Sequence, residues 1–144
     1  MTKQNFPAID RQLQQNAYRW QKDTENILAA EPYKQAVSLL TQAEPQTEQA
    51  SAEQRQLALE ALQQFQSLIQ AYPKSDYVDH ALVSIGAAHE IREAWGDALK
   101  AYEQLTARYA KQPPKDAGLQ KLLAYAQERS ESIRLFLLQK EKFD

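Results

Sequence analysis

Cysteine is absent from this chain of 144 residues. That excludes disulfides, thiolate metal sites, thiol nucleophiles and lipid attached through cysteine. Glycine occurs three times, as Gly86, Gly96 and Gly118, too widely separated for a phosphate-cradling loop. So few glycines also leave little material for the tight turns of a sheet built from short strands. No strong charge of one sign is present, and a net charge of −2 gives no broad basic footprint for nucleic acid. Long apolar runs are missing too. The longest nearly apolar stretch, Ala81 to Ala88, falls far short of the ~20 residues a membrane-spanning helix needs. Met1 to Pro7 lack the apolar core of a signal peptide. As written, the chain is expected in the cytoplasm, or in the periplasm if it is a mature fragment restarted with a methionine.

What is present points one way. Apolar residues at 43% and charged residues at 25% suit a soluble globular protein. Twenty glutamines, good helix formers that are rare in sheets, argue for an all-α class. The length suits a single domain that buries its core without staples. Lys100, Arg108, Lys111, Lys115 and Lys121, set against Glu103 and Asp116, form a modest basic corner that reads as solvated surface.

The periodicity predicts about six helices. In the first, starting between Pro7 and Asp10, the residues Ile9, Leu13, Ala17, Trp20, Thr24 and Ile27 share one face. Glu31-Pro32 ends or kinks it, since proline lacks an amide hydrogen, and Pro32 opens a second helix reaching Ala43. A polar loop follows from Glu44 to Ala52, with Ser51 and Gln54 spaced as a capping box. The third helix ends at Pro73, and Ser75 or Asp76 caps the fourth. Gly96-Asp97 turns into the fifth, and Asp116 caps a sixth that is broken or bent near Ser130. The single domain thus comprises an N-terminal hairpin (7–43), a core (52–110) and a C-terminal helix or degenerate repeat (116–141).

No constellation for catalysis, cofactor or metal emerges. His89-Glu90 would need a second histidine at position 93, where Glu93 stands. Three residues before His80 and His89 lie Tyr77 and Gly86, not the glutamates of a di-iron helix pair. Ser84 has Gly86 after it but Leu82 before it, so no nucleophile elbow forms. Glu90 and Glu93 read as a charged helix surface, His89 as a packed interior histidine and Trp95 as a packing plug.

The spacing of the middle of the chain repeats. Ala61, Phe65, Leu68 and Tyr72 recur 37 positions later as Ala98, Tyr102, Leu105 and Tyr109. Gly86 falls inside a helix, where glycine costs ~1 kcal/mol relative to alanine, so a partner helix is expected to approach closely there. Ala61 and Ala98 would be the small partners. Phe65 and Tyr102 would fill the space between helices, each gaining ~1.5–3 kcal/mol on burial.

Leu82-x-x-Ile85-Gly86-x-x-His89 followed by Ala98-x-x-x-Tyr102, and Ala61-x-x-x-Phe65 followed by Pro73, resemble tetratricopeptide repeats. Tyr72-Pro73-Lys74-Ser75, Tyr77, Ala81 and Gly96-Asp97 are similar to the bacterial envelope branch of that family, the Tol–Pal accessory and outer-membrane assembly lipoprotein type. The resemblance covers about residues 57–110, with His89 where the family has tyrosine and Ala110 where it has proline. It implies antiparallel helical hairpins stacked as a short right-handed array, acting as a non-catalytic adaptor for a protein partner. The first helix of each pair would line a concave face. That face would present His80, Val83, Ala87 and Glu90, extended by the 37-residue shift to Ala117, Gln120, Ala124 and Gln127. A second surface is the last helix, where Leu135, Phe136 and Leu138 exceed one buried stripe. Self-association, docking to a larger partner or fold-back of the Phe143 tail would cover it.

Overall fold

A computed structural model describes the backbone of residues 6–143 and the side chains of residues 8–142. Five helices follow one another: α1 (Phe6–Ala43), α2 (Ala52–Ala71), α3 (Tyr77–Ile91), α4 (Trp95–Arg108) and α5 (Ala117–Phe143). The described residues are all-α, without a strand, and none of their helices is long and apolar enough to cross a membrane. Each helix packs on the next, and α3 packs in addition on α1 and α5. Among the described residues the backbones of α2 and α4 stay apart, although Ile69 of α2 packs against the core that holds Ala98 and Tyr102. So α3 is the central helix, in contact with the other four.

Five helices stand where six were predicted, because α1 runs through Pro32 without interruption. Proline forfeits one backbone hydrogen bond there. Offsetting that is a continuous seam: Ala29, Ala36 and Ala43, seven residues apart, are fully buried, with Tyr33, Val37 and Leu40 packed beside them. Continuity has a second consequence. At 100° per residue, the seam of the C-terminal half lies opposite the apolar stripe of the N-terminal half. Only one of them can face the bundle, and the alanine seam does. Ile9, Leu13, Ala17, Trp20, Thr24 and Ile27 are all exposed.

Two cores flank α3. Ala81, Ile85 and Ala88 face the first, with Ala61, Phe65 and Leu68 of α2. Val78 and Leu82 face the second, with Ala98, Tyr102 and Leu105 of α4 and Leu123, Ala126 and Ile133 of α5. The 37-residue repeat is therefore a packing repeat: Ala61 and Ala98, Phe65 and Tyr102 are each completely buried. Gly86 is the close-approach point, and the group it admits is the Tyr102 ring. A Cβ built on Gly86 would lie 2.5 Å from Tyr102 Cζ.

The connections differ from expectation in three places. Ser51 and Gln54 do form a reciprocal capping box on α2, and Pro73 lies just past its end. Asp76 sits at the α3 N-cap, but its carboxylate makes no cap bond and turns to α1 instead. The α3–α4 turn centres on Glu93, at a left-handed φ of 59°, while Gly96 already lies within α4. Finally, α5 passes Ser130 unbroken, with that side chain buried. The Phe143 side chain, assigned above to a folded-back tail, lies outside the described residues.

Gly86→Ala should destabilise the fold although alanine is the better helix former. Overpacking a buried ring costs about 1–3 kcal/mol, against ~1 kcal/mol of regained propensity. In Tyr102→Leu the obstruction is gone, and adding Gly86→Ala to it should then raise stability. Denaturant melts of the four proteins of this cycle test the sign change.

Candidate functional site

One side of the molecule is formed by alternate helices. There α1 and α5 both rest on α3 without touching each other, which leaves a gap over α3. At the start of α3 the gap deepens into a cleft of about 510 Å³. Lys22 of α1 and Leu119 of α5 flank it; Asp76, Asp79, His80 and Tyr109 complete the wall.

The cleft is fixed by the α2–α3 turn, which is tied to α1. Asn26 accepts from the Asp76 amide at 2.6 Å and donates to its carboxylate at 3.0 Å. Lys22 pairs with the same carboxylate at 3.0 Å, and this bond raises the Lys22 ammonium above its usual value. Lys74 donates to Gln21 at 2.8 Å and lies 5.0 Å above the Tyr18 ring. Each such surface contact contributes little alone, but together they hold a short turn in one position. Tyr33 of α1 carries the link inward, with ring centroids 4.7 Å from Tyr77, 6.5 Å from His80 and 6.0 Å from Phe65.

Two carboxylates lock the floor. Asp79 is buried; it accepts the hydroxyl proton of Tyr109 and pairs with Arg108 at 2.9 Å. Burial, reinforced by that hydrogen bond, pushes the Tyr109 phenol up to about 12. Further along α3, Glu90 accepts from the Tyr102 hydroxyl at 2.6 Å and is gripped by Arg129 of α5, with Nε at 3.2 Å from one oxygen and Nη2 on the other. Burial first, and then the bond to Glu90, hold the Tyr102 phenol protonated far above its normal range. The edge of Tyr125 packs against the Tyr102 ring at 6.3 Å. These paired groups act as fasteners between α3, α4 and α5.

The residues expected on the concave face are thus divided. His80 is exposed in the cleft, while Val83 and Ala87 are half-buried beside it on α3. Glu90 has both oxygens occupied. Of the α5 set, Ala117 and Ala124 are exposed, Gln120 bonds the Pro114 carbonyl at 2.9 Å, and Gln127 lies by Glu103, Thr106 and Ala107 of α4. Groups of α5 at the level of His80 and Glu90 are instead Gly118, Leu119 and Arg129. The offset is 38–39 residues, because the α4–α5 connection (109–116) is longer than the α2–α3 connection (72–76). Arg129 and Asp79 were not among the expected residues, and Tyr109 was expected only as a repeat position; the signal for Asp79 was an acid adjoining the apolar Val78 and Leu82. On the last helix Leu135, Phe136 and Leu138 are exposed, with Phe136 leaning on Trp95 at 5.2 Å between centroids.

Two measurements follow from this chemistry. Arg129→Met should cost roughly 1–3 kcal/mol, because the mostly buried Glu90 keeps only the Tyr102 hydroxyl, whereas Arg129→Lys should fall between. Denaturant melts read both. Burial also lowers the His89 imidazole below its ordinary 6.5, with Asp97 opposing and Arg92 assisting. The unfolded chain therefore takes up this proton first. Stability from His89 is complete above pH 6.5 and declines as pH falls toward the depressed folded value. Melting midpoints taken between pH 7.5 and 5 should fall, and should fall less in His89→Gln. Comparison of the chain with protein-family models, with curated proteins and with solved structures gives no match in any of the three.

Proposed function

We propose that this chain is a non-catalytic interaction module that receives a segment of a partner protein over α3, between α1 and α5. The stacking is read as tetratricopeptide-like, with α1, α3 and α5 as the inner helices and α2 and α4 as the outer ones. The observation that carries this reading is the gap over α3. Two flanking helices rest on the central one without meeting, and the cleft at its start is held open by the Asp76–Asn26–Lys22 ties. A groove kept rigid before its ligand arrives avoids part of the ordering cost of binding. The accessible side chains there, His80, Lys22 and Leu119, offer mixed polar and apolar contact suited to a peptide, extended or helical. A second reading, assembly through α5, is supported by the exposure of Leu135, Phe136 and Leu138.

Peptides selected from a display library on the folded chain separate the two readings. His80→Glu combined with Leu119→Glu should weaken them at least tenfold while leaving the thermal melt nearly unchanged. Binding that survives these changes but is lost in Leu135→Glu with Leu138→Glu would move the site to α5.

A further inference from the structure

The face that α1 turns toward the bundle changes character along its length. In the second half it is the buried line of Ala29, Ala36 and Ala43. Arg11, Gln14, Tyr18 and Lys22 continue that line toward the N-terminus, within about 40° of it at 100° per residue, with Gln15 and Arg19 to one side. Together they line an open depression of about 670 Å³ that meets the cleft at Lys22, which belongs to both. From residue 11 to residue 22 the sequence has no aspartate or glutamate. Lys74 adds another cation, its ammonium held by neutral groups alone: Gln21 at 2.8 Å and the Tyr18 ring at 5.0 Å. The buried Glu25 faces the Lys74 amide instead.

The charges of the cleft itself are engaged. Asp76 pairs with Lys22, Asp79 pairs with Arg108, and Asp116 accepts from the Leu119 amide. Among the described residues Arg11, Arg19 and Lys74 form no ion pair, and neither do Asp10 and Asp23, which bracket the stretch. We infer that the segment received over α3 continues along the first half of α1 as an acidic stretch, its carboxylates pairing with Arg11, Arg19 and Lys74; this rests on the groove proposed above and names the chemistry of its partner. A guanidinium offers a planar fork that fits a carboxylate, and these two have no competing acid. Arg11 and Lys22 stand about 16 Å apart along the helix, a distance that roughly five extended residues span. Gln14 and Gln15 supply amide donors and acceptors for the backbone of such a segment. An apolar helix finds no counterpart on this face. With a net charge of −2 the molecule has no broad attraction for nucleic acid, so a short acidic stretch of protein is what the strip selects.

The test uses the full chain and peptides selected on it by display, the tightest of them resynthesised with a fluorescein label and titrated by anisotropy. Selected peptides should hold at least two aspartates or glutamates within about five residues, above their frequency in the library. Arg11→Glu combined with Arg19→Glu should weaken the labelled peptide at least tenfold and leave the thermal melt nearly unchanged. A copy of the peptide with lysines in place of those acids should bind the charge-reversed chain more tightly than the native one. Rising ionic strength should weaken the native pair, since these charges are exposed. Peptides without an excess of acids overturn the inference, as does an affinity indifferent to Arg11→Glu with Arg19→Glu. If His80→Glu with Leu119→Glu still weakens those peptides, the groove over α3 stands without its acidic partner; if neither pair of changes matters, both readings fall. Single-stranded DNA of mixed sequence that binds the native chain more tightly than the labelled peptide also overturns it, in favour of a nucleic-acid partner.

Discussion

The approach of α3 to α4 at Gly86 is the constraint on which the rest depends. A side chain at that point would occupy the space of the Tyr102 ring, so the two helices meet over a glycine. The ring is completely buried, yet its hydroxyl emerges beside Glu90, and Glu90 in turn holds Arg129. One aromatic side chain thereby sets the spacing of α3 and α4 and, through its hydroxyl, the position of α5. The same packing at the equivalent place in the other core uses Phe65, which needs no polar partner because α1 covers it with Tyr33. The phenol belongs where Glu90 of α3 and Arg129 of the third helix, α5, pair beside its hydroxyl; the phenyl suffices where no such pair stands.

Much of this was legible in the sequence. An internal glycine demands a reason, and among α-helical explanations close approach is the simplest; Ala61, Ala98, Phe65 and Tyr102 lie where the repeat spacing sends them. Capping by Ser51 and Asp116 could likewise be read directly, since each needs only residues within a single turn. What failed depended on information that is not local. Whether Pro32 breaks a helix is decided by the packing on either side of it, and the alanine seam extends across both. Asp76 has the composition of a cap but is recruited by Asn26, 50 residues earlier in the chain.

The site was legible only in part, for a geometric reason. The repeat of 37 holds between α2 and α4, whose ends are aligned, and carrying it over to α5 assumed equal connections. With Pro113 and Pro114 in the longer α4–α5 loop, the levels slip by one to two residues, and on a helix that is a rotation of 100–200°. Such a rotation is enough to exchange the face that looks at α3 for the one that looks at α4. Gln127 goes outward and Arg129 inward for that reason. A charged pair such as Glu90–Arg129 is therefore a better gauge of register than an extrapolated period, because its two ends must lie at the same level.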